Sequence, residues 1–75
     1  MKYNYEAVYG FNSKQWWVYD NDKDVYIDVP TDVLNELQEH SNDICEQQCY
    51  FEDYILVNVP KWLEDKDHWY DDVEI

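Results

Sequence analysis

The chain has 75 residues and a formal net charge of −13, from eighteen Asp and Glu against five Lys and no Arg. A chain of this length forms one domain (residues 1–75) with little room for an enclosed active site, because only about 60% of its unfolded surface can be buried. Hydrophobic residues make up 45% and aromatic residues 19% of the chain, which argues against a disordered chain, and the negative charge with no Arg argues against direct binding to nucleic acid.

The first half of the chain predicts an antiparallel meander. Tyr and Ala side chains alternate with other residues near the start, which is the period-two pattern of a half-buried strand. Two short polar turns, at residues 10–13 and 21–23, separate runs rich in Trp, Tyr and Val, which favour strands. The predicted strands cover residues 2–9, 14–20 and 25–29.

The middle of the chain predicts a helix. Val29 precedes a proline, which ends the third strand, and Thr31 is a suitable N-cap. Apolar residues then recur at helical spacing to about Gln48. The sequence leaves open whether this helix is continuous at Ser41 and Asn42.

The last third of the chain predicts a fourth strand and a second helix. Apolar residues alternate over about 50–59, and another Val-Pro pair ends that run. Residues 60–70 have inward-facing apolar residues at helical spacing, and the acidic tail from about residue 71 is expected to fray. The predicted fold is therefore α+β, a small antiparallel sheet of about four strands with two helices packed on it, in the order β-β-β-α-β-α.

Five carboxylates recur along the predicted central helix at spacings of four, three, four and three. They are Asp32, Glu36, Glu39, Asp43 and Glu46. At about 100° per residue they fall in a narrow arc opposite the apolar face. Each neighbouring like-charge pair destabilises a helix by roughly 0.2–0.5 kcal/mol, and no Lys lies between Lys23 and Lys61 to offset it. The pattern favours a binding role over selection for stability, although a merely solvated acidic face is the alternative.

Other acidic and thiol groups predict no metal site. Asp20, Asp22 and Asp24 match the first half of an EF-hand loop, but Val25 and Thr31 stand where that loop needs Gly and Glu. An acidic turn is the better interpretation.

Cysteine and histidine supply the atom types that bind zinc, at Cys45, Cys49, His40 and His68, but their spacing is not a zinc signature. Small buried thiols and a partly buried, inward-facing His40 are the simpler interpretation, with a reversible or intermolecular thiol role as an alternative. The chain also lacks a nucleophile-and-base set and a glycine-rich phosphate loop. We therefore expect no cofactor and no catalysis.

Partner binding is the remaining function class, and the predicted partner is a basic protein surface rather than a nucleic acid or a membrane. Exposed Trp and Tyr side chains are frequent anchors at such interfaces. The predicted partner-binding residues are the five carboxylates of the central helix together with Asp20, Asp22, Asp24, Asp65, Asp67, Trp16 and Trp17.

In size, charge and aromatic content, the chain resembles the small acidic inhibitors encoded by bacteriophages and mobile elements, such as anti-restriction, anti-CRISPR and uracil-DNA glycosylase inhibitor proteins. The resemblance covers the whole chain in composition and matches no family motif. Separately, the lack of an apolar leader segment and the low cysteine count predict a cytoplasmic location, in the host cell if the chain is phage-encoded, and leave monomer or homodimer open. The resemblance implies that the carboxylates occupy the basic nucleic-acid groove of an enzyme or defence complex. The alternative is a non-catalytic interaction or structural module that binds through exposed Tyr and Trp, its acidity incidental.

Overall fold

A computed structural model describes residues 4–75 and contains one four-stranded antiparallel sheet and two α-helices. The strands are β1 (Tyr5–Gly10), β2 (Gln15–Asp20), β3 (Val25–Asp28) and β4 (Trp69–Tyr70), and they lie side by side in that order. The helices are α1 (Thr31–His40) and α2 (Ile44–Tyr50). The α+β class is confirmed. The first two positions of the predicted first strand lie outside the described residues.

Two hairpin turns of the same geometry build the meander. Lys14 donates its backbone N–H to the carbonyl of Gly10 at 2.6 Å, and Asp24 donates to the carbonyl of Asp20 at 2.8 Å. Both donors have left-handed backbone, with φ of 60° and 57°. Each turn thereby reverses the chain in four residues and fixes the register of its two strands.

The core lies between one face of the sheet and the helical second half of the chain. Ala7, Val18 and Ile27 are neighbours in register across β1, β2 and β3, and all three are buried. The helical side contributes four fully buried side chains, Leu37, Phe51, Leu56 and Leu63. These contacts hold α1 and α2 on one side of the sheet.

The fourth strand predicted over 50–59 is wrong. The chain continues from α2 into a π-helical turn at Phe51–Ile55 and a 3₁₀ turn at Leu56–Asn58. Phe51 and Leu56 are five residues apart, and the i→i+5 geometry of a π-helix brings both into the core. Val57 and Val59, which the alternating pattern placed on a strand, are exposed. Burial of two large side chains therefore overrides the period-two pattern.

The second helix predicted over 60–70 is also wrong. Two 3₁₀ turns, Lys61–Glu64 and Lys66–His68, lead into β4, so the element order is β-β-β-α-α-β. The helix is interrupted at Asp65, whose backbone is extended and whose carboxylate accepts the N–H of Asp67 at 3.0 Å. Asp side chains favour such local bonds over continued helix.

The acidic tail returns to the first turn of the sheet. The carbonyl of Ile75 accepts the backbone N–H of Asn12 at 2.6 Å. Fraying of the tail stays a prediction, and it would break this hydrogen bond.

Candidate partner-binding surface

The acidic stripe is divided between two helices. Helix α1 ends at His40, and Ser41 is fully extended, with φ of −165° and ψ of 154°. The five carboxylates remain exposed: Asp32, Glu36 and Glu39 on α1, Asp43 at the junction, and Glu46 on α2. The break at Ser41 and Asn42, which the sequence left open, means that the stripe bends at the junction instead of following one straight helix.

Two members of the stripe stabilise that junction. Asp43 is the N-cap of α2, and its carboxylate accepts the backbone N–H of Cys45 at 3.0 Å. Glu46 accepts the hydroxyl of Ser41 at 2.7 Å, while the same hydroxyl oxygen accepts the backbone N–H of Asp43 at 3.0 Å. An Asp N-cap is worth about 1 kcal/mol. These two carboxylates therefore have a structural role besides any contact with a partner.

The three carboxylates on α1 differ in their surroundings. Glu36 accepts the phenolic hydroxyl of Tyr50 at 2.6 Å, and this hydrogen bond raises the pKa of Tyr50. Within the described part of the chain, no hydrogen bond or ion pair engages the carboxylates of Asp32 and Glu39. Asp32 and Glu39, seven residues apart and on one face, are the members of the stripe that are free to contact a partner.

Asp20 is not a surface residue. Only 2% of it is exposed, and its carboxylate accepts the backbone N–H groups of Asp22 and Lys23 at 2.9 and 3.2 Å. The Lys23 ammonium lies 3.5 Å from the same carboxylate. A buried carboxylate is tolerated because these donors satisfy it. Asp20 therefore fixes the second turn and is removed from the partner-binding set.

Asp22 and Asp24 are exposed in that turn, as predicted, but both have intramolecular partners. Asp22 accepts the side-chain amide of Asn4 at 2.7 Å. Asp24 accepts the hydroxyl of Tyr19, and that hydrogen bond raises the pKa of Tyr19 to about 12. Both carboxylates add negative charge to the surface, but each already accepts a hydrogen bond from within the protein.

Trp16 and Trp17 are buried, with 3% and 8% exposure, so they are corrected from interface anchors to structural residues. Trp16 points into the core, where it packs edge-on against Phe51 with centroids 5.8 Å apart. Trp17 lies on the opposite face of the sheet, where its indole N–H donates to the hydroxyl of Ser13 at 2.9 Å. Gly10 leaves room for this ring, because a Cβ there would lie 3.1 Å from the indole nitrogen.

Asp65 and Asp67 are exposed beside a histidine. His68 lies between two carboxylates, with Nε2 3.7 Å from Asp65 and Nδ1 4.0 Å from Asp28. Asp65 also caps the following turn, as described above, whereas the Asp67 carboxylate has no recorded partner among residues 4–75. Their position on the last 3₁₀ turns makes them a separate acidic patch.

The thiols and His40 differ from their predicted surroundings. Cys45 and Cys49 are both free and exposed, not buried. His40 is exposed as well, and its ring stacks on Tyr50 with centroids 4.2 Å apart and an interplanar angle of 18°. Among the described residues, no three His, Cys, Asp or Glu side chains are placed to hold a metal ion.

These residues line a shallow cleft of about 530 Å³ on α2 and the π-helical turn, which sequence reasoning missed. Its lining residues are His40, Cys45, Glu46, Cys49, Tyr50, Asp53 and Tyr54. The pairs Cys45 with Cys49 and Tyr50 with Tyr54 are each four residues apart, which is one face of a helix. This spacing is visible in the sequence, but the strand predicted over 50–59 separated Tyr50 and Tyr54 from the helix that carries Cys45.

Negative charge dominates the described surface. Every acidic side chain is exposed except Asp20, Asp28 and Glu52. Among residues 4–75, one lysine forms an ion pair with a carboxylate, and this pair joins Lys23 to the buried Asp20. Exposed charges separated by less than about 8 Å still interact at physiological salt, so the carboxylates together create a strongly negative potential.

Residues 4–75 form no helix that is both long enough and apolar enough to span a bilayer. Comparison with protein-family models, with curated proteins and with solved structures found no match.

Proposed function

We propose that this protein is a non-catalytic inhibitor that occupies the basic nucleic-acid-binding surface of a target enzyme or defence complex. The observation that carries the proposal is the excess of exposed carboxylates without lysine counter-charges in the described residues. Such a surface attracts a basic groove and repels nucleic acid itself. Anti-restriction and anti-CRISPR inhibition are the proposed settings.

The amount of charge fits a nucleic-acid mimic. The molecule measures 31 × 30 × 18 Å and has a formal net charge of −13. A DNA duplex of similar length carries roughly 18 phosphate charges, at one per about 1.7 Å of axis. From Asp32 to Glu39 the rise along α1 is only about 10 Å, at about 1.5 Å per residue. Helix α1 is therefore too short to mimic the duplex alone, and carboxylates outside this helix have to contribute charge.

The test is competition. The immobilised protein is exposed to a bacterial lysate at low salt, and each captured protein is identified, purified and assayed for binding to its own nucleic acid. The proposal expects the protein and the nucleic acid to exclude each other, with affinity that falls steeply as salt rises. A captured partner that binds both at once, with no salt dependence, would contradict it.

A second candidate is an interaction module that uses exposed rings. Tyr54 is 65% exposed on the π-helical turn, and Val57, three residues later, is 51% exposed, which favours a small hydrophobic contact around this ring. Binding by this route should be nearly insensitive to salt. The salt series in the same experiment therefore separates the two candidates.

A further inference from the structure

We propose that the cleft on α2 and the π-helical turn binds an arginine side chain of the partner. This inference rests on the proposed function for the source of the arginine, a basic protein segment. The proposal that the cleft recognises an arginine side chain is argued from the residues that line it.

The aromatic wall of the cleft provides a surface for a flat cation. Tyr50 and Tyr54 have centroids 5.2 Å apart with an interplanar angle of 31°, and Tyr54 is 65% exposed. A cation placed over a Tyr face within about 6 Å of the ring centroid is attracted by the electron-rich ring. A guanidinium group also stacks on such a ring through its planar face, which an ammonium group does not do.

One ring of this wall, that of Tyr50, is held in place before a partner arrives. His40 stacks on Tyr50 at 4.2 Å, and the Tyr50 hydroxyl donates to Glu36 at 2.6 Å. These two contacts on α1 fix the orientation of a ring on α2. A fixed Tyr50 ring reduces the conformational entropy that binding would otherwise cost.

The charge of the cleft selects a cation. Glu46 and Asp53 line the cleft, and its lining contains no Lys. The Glu46 carboxylate also accepts the Ser41 hydroxyl, whereas Asp53 has no recorded hydrogen bond or ion pair within residues 4–75. Asp53 is therefore the carboxylate that is free to pair with a guanidinium next to the Tyr54 ring, in the bidentate manner that arginine favours.

The thiols provide a direct readout. Cys45 and Cys49 are exposed and line the same cleft. An occupant of the cleft covers them, so it should slow their reaction with a neutral alkylating reagent. Protection of the thiols therefore reports that the cleft is occupied. A peptide attracted to carboxylates elsewhere on the surface would leave the thiols uncovered.

The experiment uses the full chain and a capped peptide with three arginines separated by glycines. The same peptide with lysine, and with uncharged citrulline, serves for comparison. We expect the arginine peptide to bind most tightly and to slow alkylation of both thiols, with citrulline giving no protection. The Tyr54→Ser, Asp53→Asn variant should weaken arginine-peptide binding about fivefold.

The matched control is Phe11→Ser, Asp72→Asn, which also removes one exposed ring and one carboxylate. It should bind the arginine peptide as the original protein does. Equal binding of citrulline, absence of thiol protection, or equal weakening by the control would overturn the proposal. Thiol protection by the peptide without nucleic-acid competition by a captured partner would leave the cleft site standing and remove the proposed function instead.

Discussion

The indole nitrogen of Trp16 donates a buried hydrogen bond of 2.9 Å to the side-chain oxygen of Gln47, which joins β2 to α2. The amide nitrogen of Gln47 in turn donates to the carbonyl of Ser41 at 2.6 Å. One glutamine thereby satisfies a tryptophan of the sheet and holds the bend between α1 and α2. Gln47 therefore links the sheet to the junction between the two acidic helices.

Replacing Gln47 with Leu should lower the free energy of unfolding by about 1–3 kcal/mol, because it leaves the buried indole N–H of Trp16 without an acceptor. Urea denaturation monitored by circular dichroism measures the loss. The control is Gln48→Leu at the exposed neighbouring position, which should change stability by less than about 0.5 kcal/mol. Equal stabilities for the two variants would show that the bond has no structural role.

Asp20→Ala should destabilise the fold by on the order of 2 kcal/mol, because two backbone N–H groups of the second turn lose their acceptor. Lys23→Gln leaves those backbone hydrogen bonds in place and removes the ammonium, which lies 3.5 Å from Asp20 and 5.3 Å from the centroid of the Trp69 ring. Because the lysine is half exposed, this substitution should cost less than about 1 kcal/mol. Thermal unfolding of both variants tests this order. A larger loss of stability for Lys23→Gln than for Asp20→Ala would contradict this account. It would show that the lysine contacts stabilise the turn more than the backbone hydrogen bonds to Asp20 do.

Tyr19 should be among the last tyrosines to ionise, since its hydrogen bond to Asp24 raises its pKa to about 12. The protonated phenol is favoured in the folded state, so its stabilisation is complete below the ordinary pKa of 10. It is lost as pH rises through 12. Asp24→Asn should lower the Tyr19 pKa and flatten this decline. The measurement is the tyrosinate signal, resolved by NMR, for both proteins; an unchanged Tyr19 titration in the variant would contradict the assignment.

Val59→Asn should stabilise the protein by about 0.5–1 kcal/mol. Val59 has left-handed backbone with φ of 49°, a conformation that strains a β-branched side chain and that Asn tolerates. The side chain is exposed, so little apolar burial is lost. A gain of this size raises the melting temperature of a small domain by roughly 2–8 °C. Val57→Asn is the control, since Val57 is exposed but has ordinary backbone, and it should give no gain.

Three of the four strands were predictable, because their signals are local, whereas β4 lies where a helix was predicted. Two polar turns and alternating aromatic residues define β1 to β3, and the turn geometry at Lys14 and Asp24 fixes their register. The second half of the chain depends on which residues reach the core. Phe51 and Leu56 are drawn inward together, and no local pattern distinguishes that π-helical turn from a strand with alternating apolar residues.

The candidate surface was predictable in charge but not in detail. Composition and spacing correctly predicted exposed carboxylates on α1. Burial of Trp16 and Trp17 was not predictable, because a tryptophan serves a core and an interface equally well by composition. The structural roles of Asp20 and Asp43 depend on which backbone N–H groups face them, and that is determined only by the folded turns.

The proposed function requires the carboxylates on α1 to attract the basic groove of the target. Asp32→Lys with Glu39→Lys tests this requirement best, because both side chains are exposed and make no hydrogen bond or ion pair within residues 4–75, whereas Asp43 and Glu36 have structural contacts. Each substitution changes the charge by two, so the net charge goes from −13 to −9 (−13 + 4). The control variant, Asp71→Lys with Asp72→Lys, makes the same charge change on the exposed tail.

The measurement is the association rate of each variant with a purified captured target at low and high salt, with circular dichroism confirming the fold. If α1 faces the groove, the α1 variant should associate about tenfold more slowly at low salt and the difference should shrink at high salt. The tail variant should slow association less. Unchanged association of a folded α1 variant, or an equal loss for both variants, would contradict the claim that this helix meets the basic groove.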